Sequence, residues 1–139
     1  MANENQEISP SLQSEPVKLS EWIWVGRGIS TLLVLMLTMS AVMKFVQPAG
    51  EVEGFTKLGY PMELAFGLGM VEIICVILYA IPRSSVLGAI LLTGYLGGAI
   101  STHLRVGDPI IAPIILGVLV WVGLYLRDSQ VRNLIPIRM

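Results

Sequence analysis

The sequence predicts an all-α integral membrane protein, a bundle of four spanning helices, and three observations carry that reading. Residues 84–102, from Ser84 to Thr102, hold no formal charge, and three stretches of comparable length accompany them. Hydrophobic residues make up 54% of the 139-residue chain and charged ones 14%, against about 25% charged in an ordinary globular domain. The apolar stretches lie near 25–46, 62–82, 84–105 and 109–126. Each approaches the ~20 residues that a helix needs to cross a hydrocarbon core ~30 Å thick, about twice the length of a barrel strand.

Two regions follow: a polar N-terminal tail over residues 1–21 and a membrane domain over 22–139. The first 19 residues carry Glu4, Glu7 and Glu15 against Lys18 alone. A secretory signal needs a basic head, an apolar stretch and a small-residue cleavage site, and this segment has none of them, so a retained, flexible tail is expected.

Ser20 is expected to cap the first helix, with Trp22 and Trp24 in the headgroup layer, where an indole buries its body and keeps its N–H wet. The helix runs without a charge from Gly28 to Met43, leaves the apolar layer at Lys44, and is ended by Pro48 and Gly50. Met36, Met39 and Met43, with Met70 of the second helix, read as packing residues. The connection from Gln47 to Pro61 is the longest, carries the turn-like Leu58-Gly59-Tyr60-Pro61, and is long enough to fold over the mouth of the bundle.

The second helix stops at Pro82-Arg83, and the link Pro82–Ser85 is so short that helices two and three must be antiparallel neighbours. In the third helix, at 100° per residue, Gly94, Gly97, Gly98 and Ser101 share one face. That smooth stripe lets another helix approach closely, a ligand groove being the alternative. The fourth helix is expected to start at Asp108-Pro109, with the aspartate as cap and the proline in the first turn, and to end at Arg127-Asp128.

Orientation comes from the basic residues. The tails and the second loop hold Lys18, Arg27, Arg83, Arg127, Arg132 and Arg138, while the first and third loops hold Lys44, Lys57 and Arg105. Six against three places both termini in the cytoplasm.

Composition also excludes functions. A net charge of −1 with no basic run gives no electrostatic footprint for nucleic acid. The single cysteine, Cys75, allows no intrachain disulfide and no CxxC pair, so redox chemistry would need a bound cofactor or another subunit; Cys75 itself reads as structural. No nucleophile elbow, phosphate loop, HExxH or dinucleotide fingerprint assigns a reaction, and one histidine makes no typical metal site.

Glu72 is the costliest residue. It lies about ten residues, or ~15 Å, into its helix, where an ionised carboxylate costs at least ~2.5–3.5 kcal/mol. It should be protonated, paired, or both; Lys44, the nearest cation, is expected ~12 Å away along the bundle axis, which strains full pairing. Ala65, Gly69, Cys75 and Tyr79 share its face and Glu63 lies opposite, so Glu72 is expected to point inward. It reads either as a proton-carrying or ligand-binding carboxyl, with Tyr79 on the same face, or as a polar link to Ser40 or Thr38 of the first helix. Lys44, His103, Arg105 and Asp108 gather at the predicted outer mouth, with His103 turned away from the glycine stripe beside Leu92, Leu96 and Ala99. They suit a site for a polar or anionic headgroup, or interface anchoring with local salt bridges.

Ile81-Pro82-Arg83, followed by the run from Leu87-Gly88-Ala89 through Gly94-Tyr95-Leu96-Gly97-Gly98 and Ser101-Thr102-His103-Leu104-Arg105 to Gly107-Asp108-Pro109, resembles the signature of DoxX-like membrane proteins. The Lys44 exit, Leu58-Gly59-Tyr60-Pro61 and Leu126-Arg127-Asp128 fit too, and the resemblance covers roughly residues 22–137. It implies a four-helix protein of the bacterial inner membrane, related to a subunit of archaeal thiosulfate:quinone oxidoreductase. The expected function is association with a membrane redox or transport system, with a quinone or another lipid-like ligand held between Glu72 and the outer mouth. The alternative is a non-catalytic structural or assembly subunit of a larger membrane complex; an oxidoreductase acting alone lacks an evident redox centre. Lipid bilayer, further membrane subunits or a second copy are the partners to expect. A ligand site requires a cavity that reaches Glu72, whereas a scaffold can be packed solid.

Overall fold

The computed structural model describes residues 15–135, and their side chains from Ser20 to Ile135. Residues 1–14, most of the expected polar tail, lie outside the described residues. The described chain is all α, with six helices: α1 (Glu15–Val46), α2 (Ala49–Lys57), α3 (Glu63–Ala80), α4 (Ser85–Val106), α5 (Ile111–Arg127) and α6 (Ser129–Leu134). Three of them, Ser20–Val46 within α1, α3 and α4, are long and apolar enough to cross a membrane, and α5 is a shorter apolar helix.

The four apolar helices form a ring in which α1 and α4 each pack against α3 and α5. The α3–α4 register follows from the short link: Tyr79 lies against Gly88, and Glu72 meets Tyr95, both pairs being symmetric about the Arg83–Ser84 bond. Ser30 likewise reaches Tyr79 and Gly123, and Gly26 meets Leu126 and Arg127, so α1 runs opposite to both α3 and α5. Leu33, Leu37, Val76, Tyr79, Leu92, Val120 and Leu124 fill the centre.

Several boundaries move from their sequence positions. Ser20 is not a cap: it lies inside α1, which is helical from Glu15 onward among the described residues. α1 ends where Gln47 adopts a left-handed φ of 52°. Pro48 then stands at the N-cap of α2, so the long connection is itself mostly a helix. Gly59 ends α2 at φ 73°; the Tyr60 and Gly59 N–H groups bond the Phe55 and Thr56 carbonyls, a Schellman arrangement that explains the turn-like sequence. Gly107, at φ 74°, ends α4 in the same way.

Asp108 does not cap the next helix, which begins three residues later at Ile111; its carboxylate is taken instead by Lys57, 2.6 Å away. Asp128 does cap, its carboxylate accepting from the N–H groups of Gln130 and Val131 at the start of α6. Met39, Met43 and Met70 turn outward rather than into the core, and Met36, half exposed, borders a cavity. The glycine stripe also lies outside the packed core: a Cβ at Gly94, Gly97 or Gly98 would meet nothing within 4 Å among the described residues, so no described helix covers it. Close approach occurs instead at Gly88, where a Cβ would stand 2.2 Å from the Tyr79 nitrogen, and at Gly26, 2.7 Å from the Arg127 nitrogen.

Candidate functional site

The helical period that places Ala65, Gly69, Glu72, Cys75 and Tyr79 on one face of α3 also buries all five. Glu72 is 1% exposed, nine residues into its helix. Its Oε2 lies 3.0 Å from Lys44 Nζ and accepts a hydrogen bond of 3.0 Å from the Tyr95 hydroxyl. Lys44, with 12% of its side chain exposed, also donates to the Ser40 hydroxyl at 2.8 Å and lies 4.0 Å from Glu51. Four helices thus meet at one ion pair: α1 through Ser40 and Lys44, α2 through Glu51, α3 through Glu72 and α4 through Tyr95.

The pairing corrects the expected separation of Lys44 and Glu72. Phe45 and Ala41 of α1 lie beside Gly69, less than one turn from Glu72. The end of α1 therefore sits below the level at which α3 begins, and α2 with residues 58–62 makes up the difference. Ser40 serves the pair through Lys44 rather than by bonding Glu72, and Thr38 takes no part in it.

Beside the pair opens a cavity of about 610 Å³. Leu37, Leu68, Leu96, Ala99 and Leu116 give it apolar walls, and Phe55, Leu58 and Tyr60 close it from the α2 side. Its polar groups are Ser40, Lys44, Glu51, Tyr60, Glu72, Tyr95, Thr102 and His103, with Lys44, Glu72 and Tyr95 joined in one cluster. That combination, apolar walls with a small polar focus, is the usual form of a small-molecule site. His103 Nδ1 is buried without a hydrogen-bond partner; Asp108 Oδ2, at 3.9 Å, is too far to be one. Among the described residues no group of three or more His, Cys, Asp or Glu side chains is placed to hold a metal ion.

Of the residues singled out from the sequence, Lys44, Glu72 and His103 line this cavity. Arg105, Asp108 and Tyr79 do not. Tyr79 is two turns, about 10 Å, along α3 from Glu72. It belongs to the opposite half of the core, where its hydroxyl bonds Ser30 at 3.1 Å and donates to the Val120 carbonyl at 2.9 Å. Tyr95 was not singled out, yet the hairpin register alone puts residue 95 opposite residue 72.

Arg105 and Asp108 act on α2 instead. Arg105 donates to the Leu58 carbonyl at 2.6 Å, its guanidinium lies 5.6 Å from the centre of the Tyr60 ring, and Tyr60 hydrogen-bonds Thr102 at 3.0 Å. With Lys57–Asp108 these contacts tie the end of α2 to the end of α4, across the cavity. The Lys57–Asp108 pair is exposed on the lysine side and contributes at most about 1 kcal/mol. Arg105, which satisfies a carbonyl of the helix end, matters more. Arg105→Gln is expected to speed amide exchange in residues 49–60 about tenfold while leaving the thermal midpoint almost unmoved. Exchange measured by mass spectrometry in detergent checks this; an unchanged α2 would mean that the tether does not hold it.

An antiparallel ring of apolar helices, three of them long enough to cross a membrane, is the architecture of a membrane protein, here with an amphipathic cavity at one end. The family model of the DoxX-like family matches residues 28–123, and the chain belongs to that family. The match covers α1 from Gly28 to most of α5, with α2 and the whole cavity lining inside it. No curated protein and no solved structure gives a significant match.

Proposed function

We propose that this chain is a four-span protein of the bacterial inner membrane, with both termini in the cytoplasm, that holds a quinone or another lipid-like molecule in the cavity beneath α2 and serves a membrane redox or transport system. The observation that carries the reading is the cavity of about 610 Å³ that reaches the Lys44–Glu72–Tyr95 cluster. Its apolar walls suit a ring or acyl chain, while Lys44 supplies donors for a carbonyl oxygen and Glu72 an acceptor for a hydroxyl. The ring of helices, with α1 starting and α5 ending at the same side, supports a common side for both termini, and the excess of arginine there supports the cytoplasmic one.

A second reading, an assembly subunit, is favoured by the uncovered face of Gly94 and Gly97, which gives a neighbouring helix room for close approach. The two readings separate in one experiment. The protein is purified in mild detergent, extracted lipids are identified by mass spectrometry, and binding of a short-chain benzoquinone is titrated to wild type and to Ala99→Phe, whose ring fills the cavity. The expected results are a retained lipid-like molecule and at least a tenfold loss of quinone binding in the variant. Absence of both, with a normally folded variant, would leave the assembly reading.

A further inference from the structure

A second recess, of about 450 Å³, lies at the other end of the bundle, between α1 at Arg27, the α3–α4 link and the α5–α6 corner. Arg27, Arg83 and Arg127 line it from these three separate segments, together with Ser85, Asp128 and Gln130. Three guanidinium groups face one carboxylate, and that carboxylate is occupied in capping α6. None of the three arginines forms an ion pair among the described residues.

Their settings differ in a useful way. Arg127 is fixed: it donates to the Tyr79 carbonyl at 2.6 Å and its guanidinium lies 4.6 Å from the centre of the Tyr79 ring. Arg27 rests over the Trp24 ring at 5.2 Å. Arg83 is exposed on the link and hydrogen-bonds no other described residue. One preset and two adjustable forks around a recess suit an oxyanion with several acceptors, since a guanidinium matches a phosphate with two parallel hydrogen bonds. Ser85 brings the start of α4 to the recess and Arg127 the end of α5, so the two helix dipoles oppose each other there and the arginines set the charge. Trp22 and Trp24, both exposed, set this end at the depth of lipid headgroups.

We propose that the Arg27–Arg83–Arg127 recess binds a phosphate group, supplied by the headgroup of an anionic phospholipid or by a soluble phosphorylated compound. This site is independent of the cavity under α2, which lies at the opposite end of the same helices. The proposal concerns a defined recess rather than a general surface attraction, and the test is built on that difference.

The full chain is placed in nanodiscs of phosphatidylcholine with and without phosphatidylglycerol, and retained lipid is counted by native mass spectrometry after transfer to detergent. Inorganic phosphate and pyrophosphate are titrated to delipidated protein in parallel. Wild type is expected to retain phosphatidylglycerol selectively, or to bind the soluble anions, and Arg27→Gln/Arg83→Gln to weaken that binding at least tenfold. Arg83→Lys should recover part of it. Arg132→Gln removes one charge from the same end but outside the recess and should change binding less than twofold. Selective lipid retention that phosphate does not displace assigns the headgroup as the source; arginine-dependent binding of phosphate or pyrophosphate assigns a soluble one. Equal losses in Arg132→Gln and the double variant, or no loss in the double variant with its thermal midpoint intact, overturns the proposal. Should the double variant unfold, Arg83→Gln alone, which breaks no hydrogen bond, decides by the same criterion.

Discussion

Glu72→Leu is expected to lower the stability of the solubilised protein by about 3 kcal/mol, because it takes the near counter-charge from the largely buried Lys44 ammonium and leaves it only Glu51 at 4.0 Å. Lys44→Met should cost as much for the mirror reason, since Glu72 is the more deeply buried partner and keeps only Tyr95. The double variant Lys44→Met/Glu72→Leu removes both charges and should regain most of the loss, because a buried ion pair often breaks even with apolar side chains of similar size. Glu72→Gln is intermediate. It keeps an acceptor for Tyr95 but takes the counter-charge from Lys44, which then has Ser40 and, at 4.0 Å, Glu51. A loss of about 1–3 kcal/mol is expected for it. Thermal unfolding of the four variants in one detergent checks the series; single variants that melt with wild type would show that the pair holds nothing together. A double variant that melts normally but no longer binds the short-chain quinone would separate the structural role of the pair from its role in the cavity.

Much of this arrangement was legible because the bilayer and the helix impose simple rules. Membrane thickness sets the length of an apolar stretch, and four such stretches fall within α1, α3, α4 and α5, although α1 reaches back to Glu15, ten residues before its apolar stretch. The inward set Ala65, Gly69, Glu72, Cys75 and Tyr79 followed from 100° per residue, and the four-residue link made α3 and α4 antiparallel. What escaped depends on relations between elements. α2 is nine residues with two glycines, Ala49–Lys57, too short and too weak in intrinsic propensity to announce itself; it is held by burying Phe55 and by its ties to Arg105 and Asp108. The Lys44–Glu72 pair depends on the stagger of α1 against α3, which no local pattern records. Asp108 has the sequence context of a cap, yet a lysine fifty-one positions earlier takes it. The small-residue stripe shows the same gap: small residues on one face announce room for a neighbour, not whether the neighbour belongs to this chain.

Gly88→Ala should be among the most damaging single-methyl additions. The added carbon would stand 2.2 Å from the Tyr79 nitrogen and 2.5 Å from its Cα, both main-chain atoms that no side-chain rotation can move aside. α4 must then back away from α3 just beyond their four-residue link, where the chain has least slack. That movement would disturb Tyr79, whose hydroxyl joins Ser30 to Val120 and whose carbonyl receives Arg127. A loss of about 3 kcal/mol, the upper part of the usual range for overpacking, is expected for alanine, and a failure to accumulate folded protein for valine. Gly94→Ala and Gly97→Ala supply the contrast. Each adds the same methyl group in the same helix, but into open space, and should be neutral or stabilise by up to about 1 kcal/mol through helix propensity. Yield and thermal midpoint of the three alanine variants, measured side by side, decide the matter. If Gly88→Ala behaves like Gly94→Ala, α3 and α4 do not approach as closely as described, and the register that places Tyr95 against Glu72 falls with it.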